Sequence, residues 1–161
     1  MIEVYQQENC DHYASTAAAL EKELMQNTIN AGLFDVPSSA FNPLRHQHDA
    51  MAIIDHIAAL KPESPNLKIG IVKVDIYSQE MNFIFGLADP LSHTALVSTY
   101  RLVGENIHKR IRKEVIHEVG HLLGLSHCSD TSCVMCFSNT VEDTDRKEQT
   151  LCSKCRRKLE G

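Results

Sequence analysis

No stretch of this chain is apolar for long enough to make a transmembrane helix. Nor does it begin like a signal peptide. Met1-Ile2-Glu3-Val4-Tyr5 has no basic segment leading into an apolar one, so a cytoplasmic address is expected. There is no basic excess: 16 Lys and Arg stand against 21 Asp and Glu, a formal net charge of -5. Nothing global therefore favours nucleic acid or an acidic membrane surface, and neither is expected as a partner. Internal repeats and low-complexity runs are missing too. Tryptophan is absent, which excludes nothing. Cysteine is nearly absent before residue 128, where Cys10 stands alone.

What is present is enough for one domain. The 161 residues include 43% hydrophobic and 23% charged residues, ordinary values for a chain that buries its own core. The spacing predicts a short strand over residues 1–5 and a helix over 11–26 behind Asp11. A strand over 32–36 stops at Pro37, a loop fills 37–43, and a helix spans 46–60. Residues 67–76 are β-branched and nearly continuous, the pattern of a central strand. Further strands are expected over 82–87 and 94–99, with Asp89 to His93 as the loop between. The longest helical pattern runs from about 105 to 123, with Ile107, Ile111, Val115, Val119 and Leu122 on its inner stripe. Regular patterning then fades, and a charged loop over 142–149 separates two groups of cysteines. Arg156, Arg157 and Lys158 read as a solvated helical end. This is an α+β or α/β layout with a small C-terminal lobe.

The chemistry lies in His117-Glu118-Val119-Gly120-His121-Leu122-Leu123-Gly124-Leu125-Ser126-His127-Cys128. Residues four apart on a helix are about 40° apart around its axis and one turn apart along it, so His117 and His121 can aim at one ion. Glu118 sits beside them, where a base for an attacking water belongs. Gly124 can take φ > 0, end the helix and turn the chain so that His127 becomes a third ligand. Three protein ligands leave a position open, as catalytic zinc sites do. A lone His-x-x-x-His on a helix carries little meaning. The glutamate, the glycine and the third histidine at fixed offsets make it specific. The other six histidines read as surface or partly buried residues.

The cysteines Cys128, Cys133, Cys136, Cys152 and Cys155 point to a second metal, because a cluster without an export signal reads as ligands before disulfides. Four thiolates make a closed, structural zinc site, and a tail with few large apolar residues gains folding free energy from one. Cys152 and Cys155 form one knuckle. Spacing alone leaves the other pair open, because Cys133 and Cys136 also form a Cys-x-x-Cys, separated from Cys152 by fifteen residues. Cys10 reads as a small core residue.

His-Glu-x-x-His-x-x-Gly-x-x-His is the signature of metzincins. With His-Cys, four residues, Cys-x-Met, sixteen residues and Cys-x-x-Cys behind it, the chain resembles the archaemetzincin family. Asp75-Ile76-Tyr77 and Asn82-Phe83-Ile84-Phe85-Gly86 are weaker points of likeness. The resemblance runs from about Asn42 to Cys155, and the chain starts late for the family. It implies a metzincin-like zincin fold with a mixed, twisted sheet. A single catalytic domain over 1–161 would comprise an upper part to residue 124 and a cysteine-rich lower lobe over 125–161. It implies two zinc ions, a catalytic one on His117, His121 and His127 and a structural one on Cys128, Cys133, Cys152 and Cys155, leaving Cys136 as a departure from the pattern. Met135 would floor the catalytic site, and residues 82–87 would be an antiparallel edge strand that an extended peptide can join. The implied activity is zinc-dependent hydrolysis of peptide bonds by a monomer acting on peptide or protein substrates, with Glu118 as general base. Two rivals remain at this level: a zinc-stabilised binding or scaffold protein that cleaves nothing efficiently, and hydrolysis of a non-peptide amide. Residues 85–90 and 134–139 are the expected walls of the cleft.

Overall fold

The computed structural model describes residues 1–161. In chain order its elements are β1 (Ile2–Gln7), α1 (Tyr13–Leu24), β2 (Thr28–Phe34), β3 (Phe41–Asn42), β4 (Gln47–Asp49), α2 (Ala50–Ala58), β5 (Leu67–Val72), β6 (Ile76–Tyr77), β7 (Gly86–Asp89), β8 (Thr94–Ser98), α3 (Ile107–Leu122), α4 (Val141–Arg146) and α5 (Ser153–Glu160). The main sheet has the order β2-β1-β5-β8-β7. Its first four strands are parallel, and β7 closes one edge antiparallel to β8. A small second sheet, β3-β4-β6, stands apart. None of the helices is long and apolar enough to cross a membrane.

Alternation along the strands sorts the core into two layers. Ile2, Val4, Ile69, Ile71, Ala95 and Val97 face α1 and α3, while Tyr5, Val72 and Leu96 face α2. β5 is the central strand, buried on both faces. At Gly70 a Cβ would lie 2.3 Å from Ile57 Cδ1 of α2, so the glycine lets helix and sheet meet. The tail contributes Leu125, Val134, Met135 and Leu151 to the same layer as α1 and α3. Helix α3 is thus enclosed by sheet and tail, and Lys113 to Gly120 are all buried.

Several boundaries differ from the sequence expectation. The second helix starts at Ala50, not at 46, because Asp49 caps it through Met51 N at 3.0 Å and His46 sits at φ 54. The central strand ends at Val72, and Ile76–Tyr77 pairs with β4 in the small sheet. Of the expected 82–87 strand only Gly86 and Leu87 are regular, as the start of β7, which runs on to Asp89. Before it, side chains take the ladder's place: Arg45 Nη2 donates to the Met81 and Asn82 carbonyls and Gln47 Nε2 to Asn82. The expected charged loop over 142–149 begins as helix α4. Thr140 and Asp143 form a capping box there, a signal hidden among the charges.

Candidate metal centres and cleft

Helix α3 ends in a Schellman turn. Gly124, at φ 94, donates to His121 O at 3.1 Å, and Leu125 N donates to Gly120 O at 2.9 Å. The reversal brings the Leu125 carbonyl back over the helix, where it accepts from His121 Nδ1 at 2.8 Å. His117 Nδ1 donates to the Val134 carbonyl at 2.9 Å. A carbonyl can only accept, so both rings carry their proton on Nδ1 and leave an Nε2 lone pair free. Those two Nε2 atoms face each other at 3.1 Å. His127 comes in from the loop beyond the turn, its ring 5.3 Å from His117 and 4.9 Å from His121. The three histidines place ligand nitrogens within 4.8 Å of one another. Burial pushes all three pKa values down, furthest at His117. Neutral imidazoles with lone pairs turned on one another suit a cation such as zinc.

Beside them lies a cleft of about 630 Å³, lined by His117, Glu118, His121 and His127 and by part of each expected wall: Phe85 to Ala88 and Pro90 from 85–90, and only Phe137 to Asn139 from 134–139. The Glu118 carboxyl is pushed well above its ordinary pKa by burial and then by Glu114, against Lys147. Its approach to the sheet depends on Gly86. A Cβ there would stand 2.7 Å from the Leu96 carbonyl oxygen and 2.9 Å from Glu118 Oε1. Met135 is fully buried under the helix, and a Cβ on Gly120 would meet its Sδ at 2.6 Å. Sequence reasoning did not single out Gly86 or Gly120, because their reason lies in contacts distant along the chain.

The cysteines whose pairing spacing left open fall into a second cluster. Cys128, Cys133, Cys152 and Cys155 bring their sulfurs within 4.8 Å of one another, and Cys136 is outside the group, against the Phe137 carbonyl. Backbone N–H groups point at these sulfurs: Met135 and Cys152 donate to Cys133 Sγ, and Cys155 donates to Cys152 Sγ. The Cys155 N–H is the main reason that the Cys152 thiol is lowered to about 7, whereas burial raises Cys133 and Cys155. Four sulfurs this close can shed their protons together only around a cation, and the donor set suits zinc. Cys10 is half-buried against the main core. None of the six cysteines is in a disulfide.

Comparison with known proteins agrees with this geometry. The profile of peptidase family M54 matches residues 24–161. An archaemetzincin of Nanoarchaeum equitans is 40% identical over 147 residues, covering 91% of this chain and 82% of that protein. Among solved structures, an archaemetzincin of Archaeoglobus fulgidus complexed with malonate superposes with a TM-score of 0.86 at 33% identity, covering 98% of each chain. A zinc-dependent peptidase of Methanocorpusculum labreanum superposes with a TM-score of 0.89 at 26% identity, over 99% of this chain and 100% of that one. Histidines, cysteines, fold and relatives lead to one assignment: the chain belongs to the archaemetzincins, peptidase family M54, and is a zinc metallopeptidase.

Proposed function

We propose that this peptidase cuts peptide bonds at a catalytic zinc held by His117, His121 and His127, with Glu118 as its general base. A second, structural zinc would be held by Cys128, Cys133, Cys152 and Cys155. The observation that carries the reading is the convergence of three imidazoles, two of them fixed in tautomer by backbone carbonyls, in a cleft that also holds a buried glutamate. When bound, zinc supplies a Lewis acid for the scissile carbonyl and lowers the pKa of water.

The chain's own groups do the rest. Glu118 takes a proton from the attacking water and passes it to the leaving amine, so no side chain forms a covalent intermediate. Edge strand β7 has one partner, β8, and its residues line the cleft. An extended substrate pairs with its free side through backbone hydrogen bonds. Met135 and Gly120 form the packed floor that fixes His117 and His121 on one side of the helix.

The test is cleavage of a diverse peptide mixture, read by mass spectrometry, with zinc-loaded wild type and Glu118→Ala side by side. Cuts made by wild type alone support the reading. Equal activity in Glu118→Ala overturns the role of the glutamate. No cuts from protein containing both zinc ions shifts the weight to a binding protein or a non-peptide substrate.

A further inference from the structure

The three histidines of the cleft are not held alike. His117 Nδ1 is tied to the Val134 carbonyl and His121 Nδ1 to the Leu125 carbonyl. His127 is the exposed one of the three. Neither of its ring nitrogens makes a hydrogen bond within the chain, and it lies beyond the end of α3, so no helix fixes its backbone. A metal-ligating histidine almost always has a partner on the ring nitrogen that faces away from the metal, and that partner sets the orientation of the ring. His127 lacks one.

Its aromatic neighbour outside the histidine group is Phe137. The two ring centroids are 5.2 Å apart and the ring planes meet at 43°, inside the range of favourable aromatic pairs. Phe137 is 45% exposed, so packing in the core does not fix it. Its backbone is pinned instead, on both sides. Buried Lys147, paired with Glu114 at 3.3 Å, donates to the Cys136 carbonyl at 3.1 Å. The Asn139 N–H donates to Asp143 Oδ2 at 3.1 Å. A phenyl ring has only two side-chain dihedrals, so a pinned backbone leaves it few positions.

We propose that Phe137 is a positioning residue for the catalytic metal: its ring orients the His127 imidazole, the part that backbone carbonyls play for His117 and His121. This rests on the zinc assignment in the proposed function. Phe137 also lines the cleft. A ring that served only as a wall there would alter peptide binding and leave zinc affinity alone.

The test is therefore zinc affinity, measured by titrating the zinc-loaded protein with chelators of graded strength. The release step that moves in His127→Ala identifies the histidine site. Phe137→Ala is expected to weaken that step about tenfold, the low end for losing the group that orients a ligating histidine. Phe137→Tyr keeps the ring and is expected to stay within about twofold of wild type. The release step of the cysteine site should not move in either variant. Unchanged zinc affinity in Phe137→Ala overturns the proposal, and a raised KM in the same variant then assigns the ring to substrate binding. Equal losses in Phe137→Ala and Phe137→Tyr overturn it as well, and so does a matching shift of the cysteine step, which marks a disrupted loop. If His127→Ala moves no release step, the zinc assignment falls and this role falls with it. If that step moves and Phe137→Ala leaves it in place, the zinc assignment stands and only the role of Phe137 is lost.

Discussion

His127 and Cys128 are adjacent in the chain, yet they belong to two differently built donor clusters. His117 and His121 sit on a long helix in the middle of the core, their rings tied to backbone carbonyls, and a cleft lies beside them. The four cysteines come from a loop, a turn and the start of a short helix, and none of them lines the cleft. The first cluster has three donors and space for a reactant. The second has four donors and backbone N–H groups turned onto its sulfurs. Where regular structure is plentiful, packing aims the ligands. Where it is sparse, packing alone aims little, and a metal held by the four cysteines, as proposed, would contribute to folding.

The sharpest way to break this comparison is to remove one group from the histidine site and one from the cysteine cluster. Glu118→Ala should lower turnover by about 10³-fold or more and leave zinc content at two per chain by elemental analysis. Cys155→Ser should behave in the opposite manner. It takes a buried sulfur out of the tail, so zinc content should fall to one and Tm by about 10 °C, the equivalent of roughly 4 kcal/mol in a chain of this length. His127 is exposed, so His127→Ala should abolish activity while moving Tm by only about 2 °C. A large Tm loss in His127→Ala, or full stability in Cys155→Ser, would erase the distinction between the clusters.

The same contrast governs what could be read in advance. The histidine motif was legible because one helix and one turn fix its geometry within twelve residues: periodicity placed α3 to within two residues at either end, and Gly124 does turn the chain at φ 94. The cysteine set was legible only through family likeness, because Cys133-x-x-Cys136 fits spacing as well as the arrangement found. Strand β7 was misplaced because hydrogen bonds from Arg45 and Gln47, far back in the chain, hold residues 81–82 out of the ladder. Helix α4 was missed because its charges mimic a solvated loop, although Thr140 and Asp143 mark its start. Local rules found what local forces determine, and long-range side-chain ties account for the rest.

Two glycines sharpen the comparison at intermediate size. Gly120→Ala would press on Met135 Sδ, the end of a flexible side chain that can move aside. A cost of roughly 1–2 kcal/mol is expected from overpacking, read as a lower denaturant midpoint with some activity kept. Gly86→Ala presses on the Leu96 carbonyl, which cannot rotate away, and on Glu118. It should therefore cost more in kcat than Gly120→Ala does, about 10²-fold. The reverse ranking would mean that Met135, not the strand, positions the glutamate.

The smallest effect concerns how the tail is fastened apart from metal. Arg110 of α3 grips Asp145 of α4 with two hydrogen bonds, 2.8 Å from Nε and 2.7 Å from Nη2. That contact from Arg110 is the main reason Asp145 is held below its ordinary pKa. A depressed carboxylate stabilises the fold above its unfolded pKa of about 4, and the contribution is lost as pH falls through the lower folded value. Asp145 is partly solvated, so the pair is worth under about 1 kcal/mol. In urea titrations Asp145→Asn should thus trail wild type by that small margin from pH 8 to pH 5 without change. Salt at about 1 M should shrink the margin. A deficit of several kcal/mol would mean that the ion pair, and not the cysteine cluster, is what fastens the tail to the catalytic helix.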